Sequence, residues 1–588
     1  MAEKILTDGT VGWVGGMDTS RQPADIAEAQ YSKATNVIIP SSLGGIKNRF
    51  GIHCCALSFE SKDDRAIYEK GNVQGEGWFC VDTRFYLIVV VDGYVIRFAQ
   101  TAANSFFGTI VNLNDRNQTS RTNAWVITLP HGCLVNNGFD LPIYVTENGA
   151  RRTDPSKDEA GIGQMGVYVQ HRLFVVDQSG RRILASDYNN PISFTREDTN
   201  IFGFMNPDED ELITAIGKQK SIIGTVEGGN LIWSSNRDIY SADVRGSRTE
   251  WANLGSRVGK TTETVPGYSA ASSNSFESFN TNMYFRTKQF GISDLRQSEY
   301  QFTGQDSPAS QSIEASYYLD QDTPWMLSKC YTRACNKRLY TTVAPERNAN
   351  GYVYWNGILS FHPAATYSNV GGIPRRFESV FTGIRPWCLT TVIVENMKDR
   401  MFMHSFDKDG VTRMYFLNEE SDHDVDRDGQ VVEIEGFIET KAYTHQNPLL
   451  LKAPNRRFYR LNSLKRSVEM NVLSRPESHG EWVQMYHNKH LVGRVSIENH
   501  MFTPTNHKSQ TRPFVNMSSE KFSSCYPGTK FLSIQYRVEF KGPLYLDAII
   551  IAATVDGYDA SVSPEETQTI YLTYSYRPDF GYEINPHL

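Results

Sequence analysis

The stretch Trp78–Ala99, WFCVDTRFYLIVVVDGYVIRFA, decides the fold class. Two apolar, strand-length runs flank Asp92-Gly93, a dipeptide that supplies the positive φ angles of a two-residue hairpin turn. The same device recurs along the chain. LPIYVTENGARRT turns at Asn148-Gly149, and MGVYVQHRLFVVDQSGRRILASDY turns at Ser179-Gly180. LITAIGKQKSIIGTVEGGNLIWSSNRDIYSADV carries Gly228-Gly229 at a turn, and NMYFRTKQFGISDL turns near Gly291. Units of two to four short strands at a spacing of roughly 30–60 residues suit propeller blades. No WD or kelch signature accompanies them. The expectation is a mainly β chain with a β-propeller-like platform over residues 61–435, a sandwich built from hairpins being the rival for that stretch.

From residue 436 the strands lengthen: FIETKAYTH, RRFYRLNSLKRSVEMNVLS, EWVQMYHN, FLSIQYRVEF and LYLDAIIIAATV. They read as a separate antiparallel β-sandwich domain over 436–588. Residues 1–60 read as an extended, glycine-punctuated N-terminal arm. Long helices are hard to find, and the best candidate is PADIAEAQYSKAT in this arm, with Pro23 suited to a first helical turn.

Composition agrees. The 588 residues include 30 Tyr, 31 Phe, 9 Trp and 44 Gly, a balance that favours β structure and tight turns. The formal net charge of −7 argues against a dedicated nucleic-acid binder, which shows a basic excess. Eight cysteines without a CxxC pair read as free thiols of a protein made in the cytosol. MAEKILTDG has no signal pattern, and the longest apolar runs, Leu87–Val91 and Ala548–Ala553, are strand-length, so no membrane-spanning segment is expected.

Several motifs invite a chemical reading. DVDRDGQVVEIE places Asp424, Asp426, Asp428 and Glu435 at calcium-loop spacing, with Gly429 at the bend. Crowded carboxylates repel unless a cation intervenes, so a structural calcium ion is one reading. The flanks read as strands, so an acidic hairpin with an Asp-Gly turn is the other. LGSRVGKTT, Leu254–Thr262, resembles a phosphate loop but holds Leu254 where the first glycine belongs. HNKH at His487–His490 lacks a third ligand in register, and Cys330 and Cys335 lack a second pair. RRFYRLNSLKR, Arg456–Arg466, interleaves bases and rings, as a nucleic-acid surface or the charged face of a sandwich strand does. Neither a GxSxG elbow nor HExxH occurs, and no enzyme activity is expected.

The N-terminal stretch carries a spaced pattern: Gly15-Gly16, Gln22-Pro23, Gln30, Asn36, then Gly45, Lys47, Arg49 and Gly51. It resembles the start of the tail nozzle proteins (tail tubular protein B) of short-tailed bacteriophages, with Phe50 where that family usually has proline. His171–Val175 with Ile183–Ser186 and Asn190–Phe194, and the segment from Leu254 to Leu295 ending in the hairpin Phe285–Ile292, resemble later family segments. The resemblance covers the first half in pieces. It implies a virion tail protein assembled in the host cytoplasm, with a propeller platform and sandwich-like domains. It further implies a homo-hexameric ring around the DNA-ejection channel, docked on a head-tail adaptor or portal-side ring, contacting tail fibres or distal tail proteins, with transient passage of genomic double-stranded DNA. The N-terminal pattern then serves either as an assembly motif between subunits or as a cap closing the propeller within its own chain. A carbohydrate-binding or depolymerising tail protein and a cellular β-propeller interaction protein are the alternatives.

Overall fold

The computed structural model describes residues 4–9, 12–40, 45–111, 113, 115–195, 211–220, 229–246, 248, 261–265, 269–279, 282–288, 291–297, 302–304, 323–363, 376–394, 397–445, 447–461, 468–477, 481–492, 514–517 and 530–555. Among the described residues, seven successive groups of mostly antiparallel strands follow one another along the chain, the sixth being part of a ten-stranded sheet, and we number them as blades. Their first strands are Val73–Val81, Trp125–Leu129, Gly163–Val169, Ala215–Lys220, Glu277–Phe279, Thr332–Cys335 and Arg385–Val392. Each of these strands lies against the next, and the last lies against the first, so they form a closed ring around one axis. That closure, with the remaining strands of each blade radiating outward, is a seven-bladed β-propeller.

The hairpins form where the turn residues place them. Arg84–Val91 pairs with Tyr94–Ala102 across Asp92 (φ 45°) and Gly93 (φ 82°). Gly180 and Gly291 also turn with positive φ. Glycine has a second use on the inner strands. A Cβ on Gly75 would lie 1.9 Å from the Ala124 carbonyl oxygen, so only glycine lets blades one and two approach at the axis.

The apolar residues between turns fill the wedges between blades. Phe79, Ile88 and Val90 of blade one pack on Cys133, Val135 and Val145 of blade two. Phe174, Val176 and Ile183 of blade three pack on Leu231 and Trp233 of blade four. Blades six, seven and one share a larger core that includes Tyr340, Phe381, Trp387, Phe402 and Phe98.

Blade seven is completed from the far end of the chain. Its strands Arg385–Val392, Arg400–Phe406 and Thr412–Asn418 are followed outward by Gly51–Cys54, which pairs antiparallel with Thr412–Asn418. The rest of residues 1–60 is also woven into sheets. Lys4–Asp8 pairs with Tyr545–Val555, as does Ile46–Asn48. Gln30–Thr35 pairs antiparallel with Glu435–Tyr443 and touches Arg376–Phe381 of blade six in parallel register. The C-terminal sandwich therefore draws strands from both ends of the chain, and one of its sheets runs on into blade six. The boundaries 1–60, 61–435 and 436–588 do not separate structural units. Tyr31, Ile438, Val472 and Val538 of one sheet close the sandwich core against Ile46, Leu546, Ile549 and Ile551 of the other.

One local expectation needs correction. Pro23–Thr35 is not a helix: Asp25 N–H bonds the Gln22 carbonyl and Gln30 N–H the Ala27 carbonyl, giving two turns that lead into the strand Gln30–Thr35. Pairing with Glu435–Tyr443 and burial of Tyr31 and Ala34 outweigh local helix propensity there. A helix forms instead over Lys62–Lys70, where the Ser61 side chain caps the Asp64 N–H, Asp63 and Asp64 occupy the first turn, and Gly71 follows the end.

Candidate functional site

The N-terminal pattern converges with the aspartate-rich loop in a buried clasp. Asn36 sits between two short strands with φ 57°. Its Oδ1 accepts from the Thr382 N–H (2.8 Å) and from Arg49 Nε (3.0 Å), and its Nδ2 donates to the Glu435 carbonyl (2.6 Å). The Arg49 side chain, 2% exposed, forms a two-pronged pair with Asp424, Nη1 to Oδ1 and Nη2 to Oδ2, both at 2.7 Å. Asp424 Oδ1 also accepts the Ile52 N–H at 2.8 Å. A planar guanidinium matched to a carboxylate in this way is strong and directional. The clasp ties the N-terminal segment, the end of blade six, the Asp424 hairpin and the first sandwich strand at one point.

Gly51 explains the closing glycine of the pattern. A Cβ there would lie 2.0 Å from the His423 carbonyl oxygen, on the same hairpin that carries Asp424. The remaining members are distributed along the sandwich edge. Gly16 turns with φ 78° and its strand pairs with that of Gln30, which is buried; Gly15 N–H bonds the Ala29 carbonyl. Gln22 closes the first turn, Pro23 accepts the Ala442 N–H, Gly45 packs on Asp547, and Lys47 pairs with Ile38 and Tyr545.

The four carboxylates read as calcium ligands go separate ways. Asp424 is engaged by Arg49, while Asp426 Oδ1 accepts the N–H groups of Asp428 and Gln430, both at 2.9 Å, and shapes the turn at Gly429 (φ 75°). Asp428 is exposed beside Arg427, and Glu435 pairs with Lys541 at 2.6 Å. Glu435 begins a strand, and the strand direction carries it from the turn to the sandwich. Among the described residues no three His, Cys, Asp or Glu side chains gather as a metal site. The loop folds as a hairpin, with Asp424–Val425 paired antiparallel to Val431–Val432.

Of the other motifs, residues 254–260 and 462–466 lie outside the described residues, while Arg456–Leu461 and His487–His490 run in sandwich strands. Cys330 and Cys335 are buried free thiols, pushed up to about 11 and about 12 by burial. The segment His171–Ser186 forms the outer strands of blade three, and Phe285–Ile292 spans the blade-five hairpin.

One buried polar group escaped the sequence reading. Glu76, on the inner strand of blade one, meets blade seven at the ring's closing seam. Its Oε2 lies 3.4 Å from His404 Nε2, whose Nδ1 is 2.7 Å from the Tyr68 hydroxyl. Burial pushes the Glu76 carboxyl up to about 7 and the His404 imidazole down to about 3. A neutral imidazole that accepts from Tyr68 at Nδ1 carries its proton on Nε2, the nitrogen that faces Glu76. A glutamate between glycines in VQGEGWFCV was the available signal.

No helix among the described residues is long and apolar enough to cross a membrane. No family model matches the chain, and no curated protein sequence matches it. Among solved structures, the chain is similar to YCF48 from Cyanidioschyzon merolae at TM-score 0.33 and 12% identity, over 60% of this chain and 97% of that one. It is also similar to BamB from Moraxella catarrhalis at TM-score 0.30 and 10% identity, over 66% and 97%. YCF48 bound to a D1 peptide gives TM-score 0.34 and 6% identity, over 60% and 93%. The propeller assignment rests on strand pairing and ring closure, not on these similarities.

Proposed function

We propose that this chain is a non-enzymatic interaction protein, a rigid propeller platform joined to a sandwich whose purpose is to hold other proteins in place. The observation that carries this reading is the clasp. Asn36, Arg49 and Gly51 lock propeller and sandwich into one body, which suits a load-bearing part more than a hinged one. The finer reading is a tail nozzle subunit of a short-tailed phage, supported by the N-terminal pattern that supplies the clasp. In that role six copies form a ring around the ejection channel, docked to an adaptor ring above and to fibres or distal tail proteins, and mildly acidic subunits let DNA slide through.

Sedimentation and electron microscopy of the purified full chain test this. A sixfold ring with an axial hole supports the nozzle role. A monodisperse monomer, in isolation and in the native particle, removes that role and leaves a propeller interaction protein acting alone.

A further inference from the structure

One face of the propeller carries an open hollow of about 710 Å³ beside the inner strand of blade two. Its wall is unusual for a chain of net charge −7. Arg121, Lys329 and Arg347 all line it, and no Asp or Glu is among its described lining residues. None of the three cations has an ion pair among the described residues. Trp325, 43% exposed, lies between two of them: the Arg347 guanidinium carbon is 4.2 Å from its ring centroid and Lys329 Nζ 5.4 Å. Phe139, 55% exposed, also lines the hollow. Arg121 holds φ 54°, a region a non-glycine residue occupies at a cost. Burial, then the charge of Arg121, push the Lys329 ammonium down to about 8. Its described acceptor is the Arg121 carbonyl at 3.4 Å, so donors remain for a ligand.

Three cations in one concavity repel one another, and their field is focused by the surrounding protein. An anion relieves that repulsion. Of the lining amides, Asn123 and Gln178 carry donors and acceptors of the kind a peptide backbone requires, while Asn137 is held by Asp140 and Phe139, and Gln164 Nε2 by the Gln178 carbonyl. Exposed aromatic rings offer seats for side chains. We propose that this hollow binds an acidic peptide segment of a partner protein, its carboxylates on Arg121, Lys329 and Arg347, its backbone on the amides, and an apolar side chain on Trp325 or Phe139. The site needs only one chain, so it stands whether or not the protein forms a ring.

The test is fluorescence anisotropy of a fluorescein-labelled Glu-Phe-Glu-Phe-Glu peptide titrated with the full-length protein. Saturable binding is expected, weakened at least about tenfold in Arg347→Ala and further in Arg347→Ala/Lys329→Ala, and weakened by added salt. A Lys-Phe-Lys-Phe-Lys peptide should not bind. Arg347 is exposed at a strand end, so its substitution leaves the fold intact, with circular dichroism as the check. Absence of acidic-peptide binding to the wild type overturns the proposal, as does equal binding by folded Arg347→Ala. Binding of an oligothymidylate in place of the peptide, lost in the same variants, also overturns it and makes the hollow a nucleic-acid site.

Discussion

Removing the Asp424 carboxylate should unlatch the outer strand of blade seven. In Asp424→Ala the Arg49 guanidinium, 2% exposed, loses both of its 2.7 Å contacts to that carboxylate, and the Ile52 N–H loses its acceptor. Breaking a buried ion pair by deleting one partner costs about 3–5 kcal/mol. Asp424 is itself 23% exposed, so water recovers part of that loss, and about 3 kcal/mol is the working figure. The loss is local, because Gly51–Cys54 is held at the blade's rim. Hydrogen–deuterium exchange reads it directly at Cys55, whose N–H donates to the Met414 carbonyl at 2.8 Å. Three kcal/mol corresponds to exchange roughly 150-fold faster there. Exchange deep in blade three, at Phe174, should not change. A rise at Cys55 of less than about threefold would refute the view that this pair fastens the strand.

Other consequences follow from the same contacts. Gly51→Ala forces a methyl against the His423 carbonyl and should destabilise blade seven by about 1–3 kcal/mol, seen as a lower first transition in thermal unfolding. Glu76 ionises near its ordinary 4.5 when unfolded but only at about 7 when folded, so its burial costs stability progressively from about pH 4.5 to 7. Glu76→Gln should therefore gain on the wild type by roughly 3 kcal/mol across that window and hold the gap above it, measured as melting temperature against pH; a gap independent of pH contradicts the buried neutral carboxyl. His404 acts oppositely: its folded value of about 3 lies below the ordinary 6.5, so its stability contribution is lost as pH falls from about 6.5 toward 3. A chelator should leave the melting temperature within about 2 °C, because Asp424, Asp426 and Glu435 are already engaged; a fall that calcium reverses would reinstate a metal at the hairpin.

What could be read from sequence was what is local. Asp92-Gly93, Ser179-Gly180 and the turn near Gly291 each mark a hairpin because turn chemistry is decided by neighbours. The helix at Lys62–Lys70 had its cap and charges in view at Ser61, Asp63, Asp64 and Lys70, but its nine residues sit between strands and carry little apolar periodicity. Pro23–Thr35 misled because its alanines suit a helix, while the partner that makes it a strand lies some four hundred residues away at Glu435–Tyr443. The clasp was half legible. Arg49 and Asp424 each stood out, one in the glycine pattern and one in the acidic loop, but nothing in the sequence pairs a residue with its partner 375 positions on. The cationic hollow was invisible for the same reason, since Arg121 precedes blade two while Lys329 and Arg347 belong to the approach and second strand of blade six, some two hundred residues on, and the chain's overall charge has the opposite sign.

The central claim is that the N-terminal strand closes the propeller of its own chain, and a cysteine pair tests it most directly. Cys54 stands opposite Tyr415 in the antiparallel register of blade seven, so Tyr415→Cys sets two thiols across from each other. Mild copper-catalysed air oxidation, followed by a non-reducing gel and peptide mapping, distinguishes the two closures. The account predicts a monomer in which positions 54 and 415 of the same chain are joined. A ladder of covalently linked chains, joined between those positions, would mean that the strand reaches into a neighbour and would contradict it.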